Sequence, residues 1–130
     1  MIQADGATTN KVVPHHVALI PDGNRRWAKN KGLPSFEGHR RGFDIAPDII
    51  RHSQEMGIHT LTLWAFSTEN WNRSQKEIDY LMRLYEILID KNLAEAKEKE
   101  ARIYHLGRKD RIPQALAKKI ANAEEQTSQY

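Results

Sequence analysis

Two short clusters place groups that handle anions and metals side by side. The first is Asp22-Gly23-Asn24-Arg25-Arg26, followed by Trp27. A guanidinium such as that of Arg26 can grip phosphate oxygens with two N–H donors at once. Gly23 permits close approach to the main chain, and a helix start offers unpaired N–H groups and a positive dipole end. Asp22 is the odd member, because a carboxylate repels a bare phosphate. Either it caps the helix, or it shares a magnesium ion with phosphate oxygens, an ion that favours one or two carboxylates plus phosphate. Neither a P-loop pattern nor a G-x-G-x-x-G pattern surrounds the cluster. The residues alone leave capping and magnesium both open.

The second cluster is Ser67-Thr68-Glu69-Asn70-Trp71-Asn72-Arg73. A hydroxyl, an amide and a guanidinium suit a second anionic group. The local alternative is that Ser67 or Thr68 caps a turn and Arg73 pairs with Glu69 or Glu77. His39, in "EGHRRG", can donate to the same anion or serve as a surface or capping histidine. His15, His16, His52, His59 and His105 show no metal-ligand spacing such as H-E-x-x-H.

These clusters need elements to position them. "HVALI" reads as a short buried strand ended by Pro21, and "NRRWAKNKG" as a helix that stops at Gly32. "LPSFEGHRRG" reads as a turn-rich loop. From about Phe43 to Met56, the positions Ile45, Ile49, Ser53 and Met56 mark one helical face, with Gly57 at the C-cap. "HTLTLWAFS" is a second strand. Ser74 and Glu77 form a capping-box pattern ahead of a helical stripe: Ile78, Leu81, Met82, Tyr85, Leu88, Ile89, Leu93 and Ala96. The charged run "EAKEKEAR" reads as a solvated helix end. "RIYHLG" reads as a third strand, and Pro113 opens a last helix with Leu116, Ile120 and Ala123 inward. Strands and helices alternate, so the expected class is α/β, a parallel sheet with flanking helices. Ligands in such sheets bind beyond the carboxyl ends of the strands, where both clusters fall.

The totals exclude several classes. The 130 residues suit one domain, and the formal net charge is +3. That mild basicity favours anionic partners such as phosphates. No aromatic-interleaved basic stripe or known motif marks a nucleic-acid binder. There is no cysteine, hence no disulfide, thiolate metal site or thiol nucleophile. No apolar run approaches the ~20 residues of a membrane span, and no signal peptide is recognisable at the start. Residues 1–14 read as a flexible N-terminal arm and 15–130 as the folded domain.

"HVALIPDGNRRWAKNKGLPSFEGHRRG" together with "LTLWAFSTENWNRS" closely resembles the cis-prenyltransferase family of undecaprenyl diphosphate synthases and isoprenyl transferases. "RIYHLGRKDRIPQALAKKIANAEEQT" is similar to the family's next strand and helix. The resemblance runs from His15 onward. It implies condensation of an allylic diphosphate, such as farnesyl diphosphate, with isopentenyl diphosphate to form cis-polyprenyl diphosphates, with magnesium. By resemblance, Asp22 is the metal-binding catalytic aspartate, and Gly23, Asn24, Arg25 and Arg26 hold the allylic diphosphate, with Trp27 following. His39 lies near the leaving group. Ser67, Thr68, Glu69, Asn70, Trp71 and Arg73 form the second motif, with Asn70 implicated in catalysis. A homodimer, a cytoplasmic location and peripheral membrane contact through the lipid product are also implied. An apolar tunnel for the prenyl chain is expected along Ile45, Ile49, Leu81, Met82, Tyr85, Leu88 and Ile89, a stripe that equally suits plain core.

Two departures qualify the resemblance. Ser35 stands where the family usually carries an arginine, so one cationic grip is missing. Family members also run to about twice this length, adding further strands, an arginine-rich motif for isopentenyl diphosphate and a glutamate that completes the magnesium site. The expectation is an N-terminal half of the fold: a truncated gene, a split protein, an excised half, or an accessory subunit of a heteromeric enzyme. Such a chain is expected to be inactive or very weakly active alone.

Overall fold

Two four-residue strands form the centre of the fold. The computed structural model describes residues 12–130. Strand β1 (His16–Leu19) pairs in parallel with β2 (Thr60–Leu63), from His16 opposite Thr60 to Leu19 opposite Leu63. Between them run three helices: α1 (Asn24–Asn30), α2 (Ser35–Asp44) and α3 (Ala46–Glu55). After β2 come a 3-10 helix (Thr68–Asn72), the long α4 (Gln75–Glu98) and α5 (Gln114–Gln126). Most of the expected arm, residues 1–11, lies outside the described residues. Val12, Val13 and Pro14 are exposed and carry no regular structure. Among the described residues, no helix is long and apolar enough to cross a membrane.

The turn-rich reading of "LPSFEGHRRG" is corrected: most of it is helix α2. Its glycines are contact residues, not turn residues. A Cβ on Gly38 would stand 2.0 Å from the Asn24 carbonyl oxygen, and one on Gly42 would stand 2.7 Å from Asn24 Nδ2. The start of α1 therefore sits directly on α2, which offsets the ~1 kcal/mol that each helical glycine loses against alanine. The Phe43–Met56 helix is also corrected, since it breaks at Ile45. Ile45 lies in the break and Met56 past the last turn, and both are exposed. Ala46 and Ser53 are buried instead. Gly57, at φ +80°, closes the helix as expected, with Ile58 N donating to Ser53 O at 3.0 Å.

The expected third strand does not form among the described residues. The segment after α4 is extended, but α5 takes its amides: Ile103 N donates to Thr127 Oγ1 at 3.0 Å and His105 N to Glu124 Oε1 at 2.9 Å. Side chains stand where a neighbouring strand's carbonyls would stand. The core lies between α4 and α5. Ile78 and Met82 pack on Leu116 and Ile120, flanked by Phe66, Trp71, Tyr85, Ile89 and Ile112. Burying each large aliphatic contributes ~1.5–3 kcal/mol, enough to anchor α5. Leu116, Ile120 and Ala123 point inward as the sequence predicts.

Candidate active site

The strand ends open into a cleft of about 360 Å3. Gly23, at φ +90°, turns the chain from β1 into α1, and a side chain there would be strained. Asp22 does not cap α1, because its Oδ1 accepts from the adjacent Gly23 N at 2.6 Å and no side chain caps this helix. Its Oδ2 accepts from Arg26 Nη2 at 3.2 Å, and both side chains are largely exposed. Surface ion pairs of this kind contribute ~0–1 kcal/mol, so the pair exchanges readily for a ligand.

The opposite wall comes from the 3-10 helix and the start of α4. Asn70 Oδ1 accepts from Ser67 N at 3.0 Å. That fixes the amide and leaves its Nδ2 with no protein partner among the described residues. Arg73 Nη1 lies 3.3 Å from Glu77 Oε1. The same oxygen accepts from His39 Nε2 at 2.9 Å and lies 3.9 Å from Arg25 Nε. Glu77 is thus a buried carboxylate that gathers groups from α1, α2 and the second cluster. Buried charges persist only when paired in this way.

The structure brings together Asp22, Gly23, Asn24, Arg25, Arg26, His39, Ser67, Asn70 and Arg73 along one cleft. Trp27, Thr68, Glu69 and Trp71 do not line it. Thr68 and Glu69 are exposed on the 3-10 helix. The Glu69 carboxyl is held below its ordinary range, first by its own backbone amide and then by the Ser67 hydroxyl. Trp71 packs edge-on against Phe66 at 4.9 Å, under the Arg111 guanidinium at 4.4 Å. It braces the wall rather than facing a ligand.

The cleft floor is apolar: Phe43, Ala46, Leu81, Tyr85 and Leu88. Of the expected tunnel residues, Leu81, Tyr85 and Leu88 are there. Ile45, Ile49, Met82 and Ile89 are not, and Met82 and Ile89 belong to the α4–α5 core. Phe43 and Tyr85 meet at 4.9 Å between ring centroids. Burial pushes the Tyr85 phenol above its ordinary range, so it stays protonated and donates to Ala65 O.

Sequence reasoning missed Glu77 as a site residue because Ser74-x-x-Glu77 explained it as a cap. Half of that box is real: Ser74 Oγ accepts from Glu77 N at 3.3 Å. The carboxylate itself turns inward. The available signal was helical phase, since Glu77 stands four residues before Leu81 and one before Ile78 on the buried face. Ser35 opens α2 and does not line the cleft. Arg40 is committed to Glu37 at 2.8 Å and Asp44 at 2.9 Å, so it does not replace the absent arginine.

For a metal, Asp22 is the candidate ligand. Among the described residues no three His, Cys, Asp or Glu side chains gather around one point. A lone carboxylate fits magnesium where phosphate oxygens supply further ligands. Three guanidiniums, one exposed carboxylate and an apolar floor define a binding site for a phosphorylated molecule with a hydrocarbon tail.

Comparison with known proteins agrees with that class. Residues 20–130 match the prenyltransferase family model described as "Putative undecaprenyl diphosphate synthase". The chain belongs to this family. It is 42% identical to an isoprenyl transferase of Thermotoga maritima over 118 residues, covering 91% of this chain and 51% of that protein. It is 43% identical over 115 residues to one of Halalkalibacterium halodurans, covering 88% of this chain and 45% of that protein. Among solved structures it is similar to lavandulyl diphosphate synthase from Lavandula x intermedia in complex with dimethylallyl diphosphate. That match has a TM-score of 0.83 at 38% identity and covers 88% of this chain and 49% of the other. The chain therefore spans about half the length of the relatives it matches.

Proposed function

We propose that this cleft binds an allylic diphosphate such as farnesyl diphosphate, and that the chain supplies the ionising side of prenyl transfer to isopentenyl diphosphate, yielding a cis-polyprenyl diphosphate. The observation that carries this is one mouth holding Asp22, Arg25, Arg26, Asn70 and Arg73 above an apolar floor. The solved relative, bound to dimethylallyl diphosphate, supports the ligand class.

In this reading the diphosphate sits at the mouth and the prenyl tail lies on Phe43, Leu81, Tyr85 and Leu88. The allylic C–O bond breaks and its electron pair leaves on the diphosphate. Arg25, Arg26 and Arg73 stabilise that charge most as it develops, the condition for faster chemistry rather than mere binding. Asp22 would hold magnesium together with the diphosphate, adding positive charge at the same place. The double bond of isopentenyl diphosphate attacks the allylic cation, and the proton then lost goes to a diphosphate oxygen. Asn70, a poor base, orients that oxygen through its free Nδ2.

The test is a farnesyl diphosphate titration of the 130-residue chain with and without magnesium. Magnesium-dependent binding lost in Asp22→Ala and in Arg26→Ala is the expected result; binding indifferent to both changes removes the basis of the reading. With labelled isopentenyl diphosphate added, the chain alone is expected to show little or no elongation. A second reading, a non-catalytic half within a heteromeric enzyme, is favoured by the half-length match to relatives. It predicts that the Asp22→Ala change leaves the activity of the assembled enzyme intact.

A further inference from the structure

The segment that follows α4 is built like a strand with one side open. Its exposure alternates: Ala101, Ile103 and His105 turn in, while Arg102, Tyr104 and Leu106 turn out. Tyr104 is 64% exposed and Leu106 80%. Alternation of this kind is the mark of an extended chain with one covered face. The amides of Ile103 and His105 are taken by Thr127 and Glu124 of α5. In an extended chain the intervening amides face the opposite way. Those of Arg102, Tyr104 and Leu106 have no hydrogen-bond partner among the described residues. An open row of this kind is a template for another strand.

We propose that Arg102–Leu106 is a docking edge for the half of the family fold that this chain does not match, seated by strand pairing along residues 102, 104 and 106. Two observations name that occupant. The chain's fold is shared at a TM-score of 0.83, yet it accounts for only 49% of the solved relative. The curated relatives likewise extend well beyond it, matched over 45% to 51% of their length. The exposed Tyr104 and Leu106 give an arriving strand apolar side chains to cover, and α5 holds the segment extended from behind. The occupant has the same chemistry whether it continues this polypeptide or arrives as a separate one. The inference rests on family membership and not on the proposed reaction, which the farnesyl diphosphate titration of the chain alone reads separately.

The experiment co-expresses the chain with the part of the Thermotoga maritima isoprenyl transferase that it does not match. A one-to-one complex is expected by size-exclusion chromatography, with amide exchange slowed at Arg102, Tyr104 and Leu106. Tyr104→Glu and Leu106→Glu should each weaken capture at least tenfold while the free chain keeps its helical circular dichroism. Ile87→Glu, at an exposed position on α4, should leave capture unchanged. The proposal is overturned by absence of a complex, or by a complex indifferent to both edge variants. Slowing of the same amides in the chain alone, through self-association, would overturn it in favour of a second copy.

Discussion

Two imidazoles are held inside this molecule, and they are treated in opposite ways. His39, under the cleft, has a carboxylate at 2.9 Å, and that carboxylate also faces Arg73 and Arg25. His105, behind the open edge, has a buried Nδ1 with no hydrogen-bond partner among the described residues. Its Nε2 side offers no substitute anchor, and only its backbone amide is tied, to Glu124. The first region is a closed electrostatic unit: α1, α2 and α4 are locked by one acid, so the guanidiniums at the mouth are aimed before any ligand arrives. The second region is held by single side-chain contacts, and its outer face is unfinished. Pre-aimed donors are what stabilisation of a developing charge requires, whereas loosely held extended edges are what a docking strand requires.

The sharpest way to break this contrast is to remove the acid. Glu77→Ala leaves His39 buried without its partner and frees two arginines. Truncating one member of a buried pair typically costs ~3–5 kcal/mol, and a loss in that range is expected in urea denaturation. Farnesyl diphosphate affinity should fall with it. Glu77→Gln keeps a hydrogen-bond acceptor and should recover part of the stability but less of the binding. A stability change below ~1 kcal/mol for Glu77→Ala would mean that the hub does not lock the cleft.

The next effect probes how α1 reaches the cleft. Gly38→Ala places a methyl group 2.0 Å from a backbone oxygen of Asn24. Backbone cannot swing aside as a long side chain does, so α1 must shift. Overpacking of this sort costs ~1–3 kcal/mol, and the Asp22 turn should move with the helix. Thermal denaturation and the diphosphate titration should therefore report the change together. Asp22→Ala and Arg26→Ala should separate those two readouts. The pair is exposed and local, so stability should change by no more than ~0.5 kcal/mol. Loss of a charge-assisted contact to the diphosphate should still weaken binding by ~1.5–3 kcal/mol.

Much of this arrangement was legible in the residues. The two clusters, the strands that end at them and the inward face of α5 all follow from local pattern. What the sequence hid were meetings between distant segments. Gly38 and Gly42 look like turn punctuation until α1 is laid across them. Glu77 looks like a cap until its carboxylate is seen to turn toward His39, 38 residues earlier. "RIYHLG" has a strand's alternation, but a strand is defined by its partner, and the partner here is the side of a helix. Thr68, Glu69 and Trp71 belong to the cluster's sequence but not to its cleft, because a 3-10 turn splays consecutive side chains around its axis.

The smallest expected effect tests the loose side of the contrast by pH. Burial, with Lys109 nearby, holds the His105 imidazole below its ordinary pKa of 6.5, against the opposing pull of Glu124. The folded chain therefore binds a proton at this site less readily than the unfolded chain. Stability from a neutral His105 is complete above about pH 6.5 and is lost as pH falls through the lowered folded value. Glu124 is itself held below its ordinary range, chiefly by Lys109, so it stays ionised through that window and its own contribution is lost only at more acid pH. Denaturation midpoints measured between pH 7.5 and pH 5.5 should fall for the natural chain. They should fall less for His105→Gln, whose side chain does not titrate. Amide exchange at Ile103 and His105 should quicken over the same interval while the Glu77 unit stays protected. Equal pH slopes for the two chains would show that His105 is not the proton-sensitive anchor of the edge, and the contrast between the two imidazoles would then be one of geometry alone.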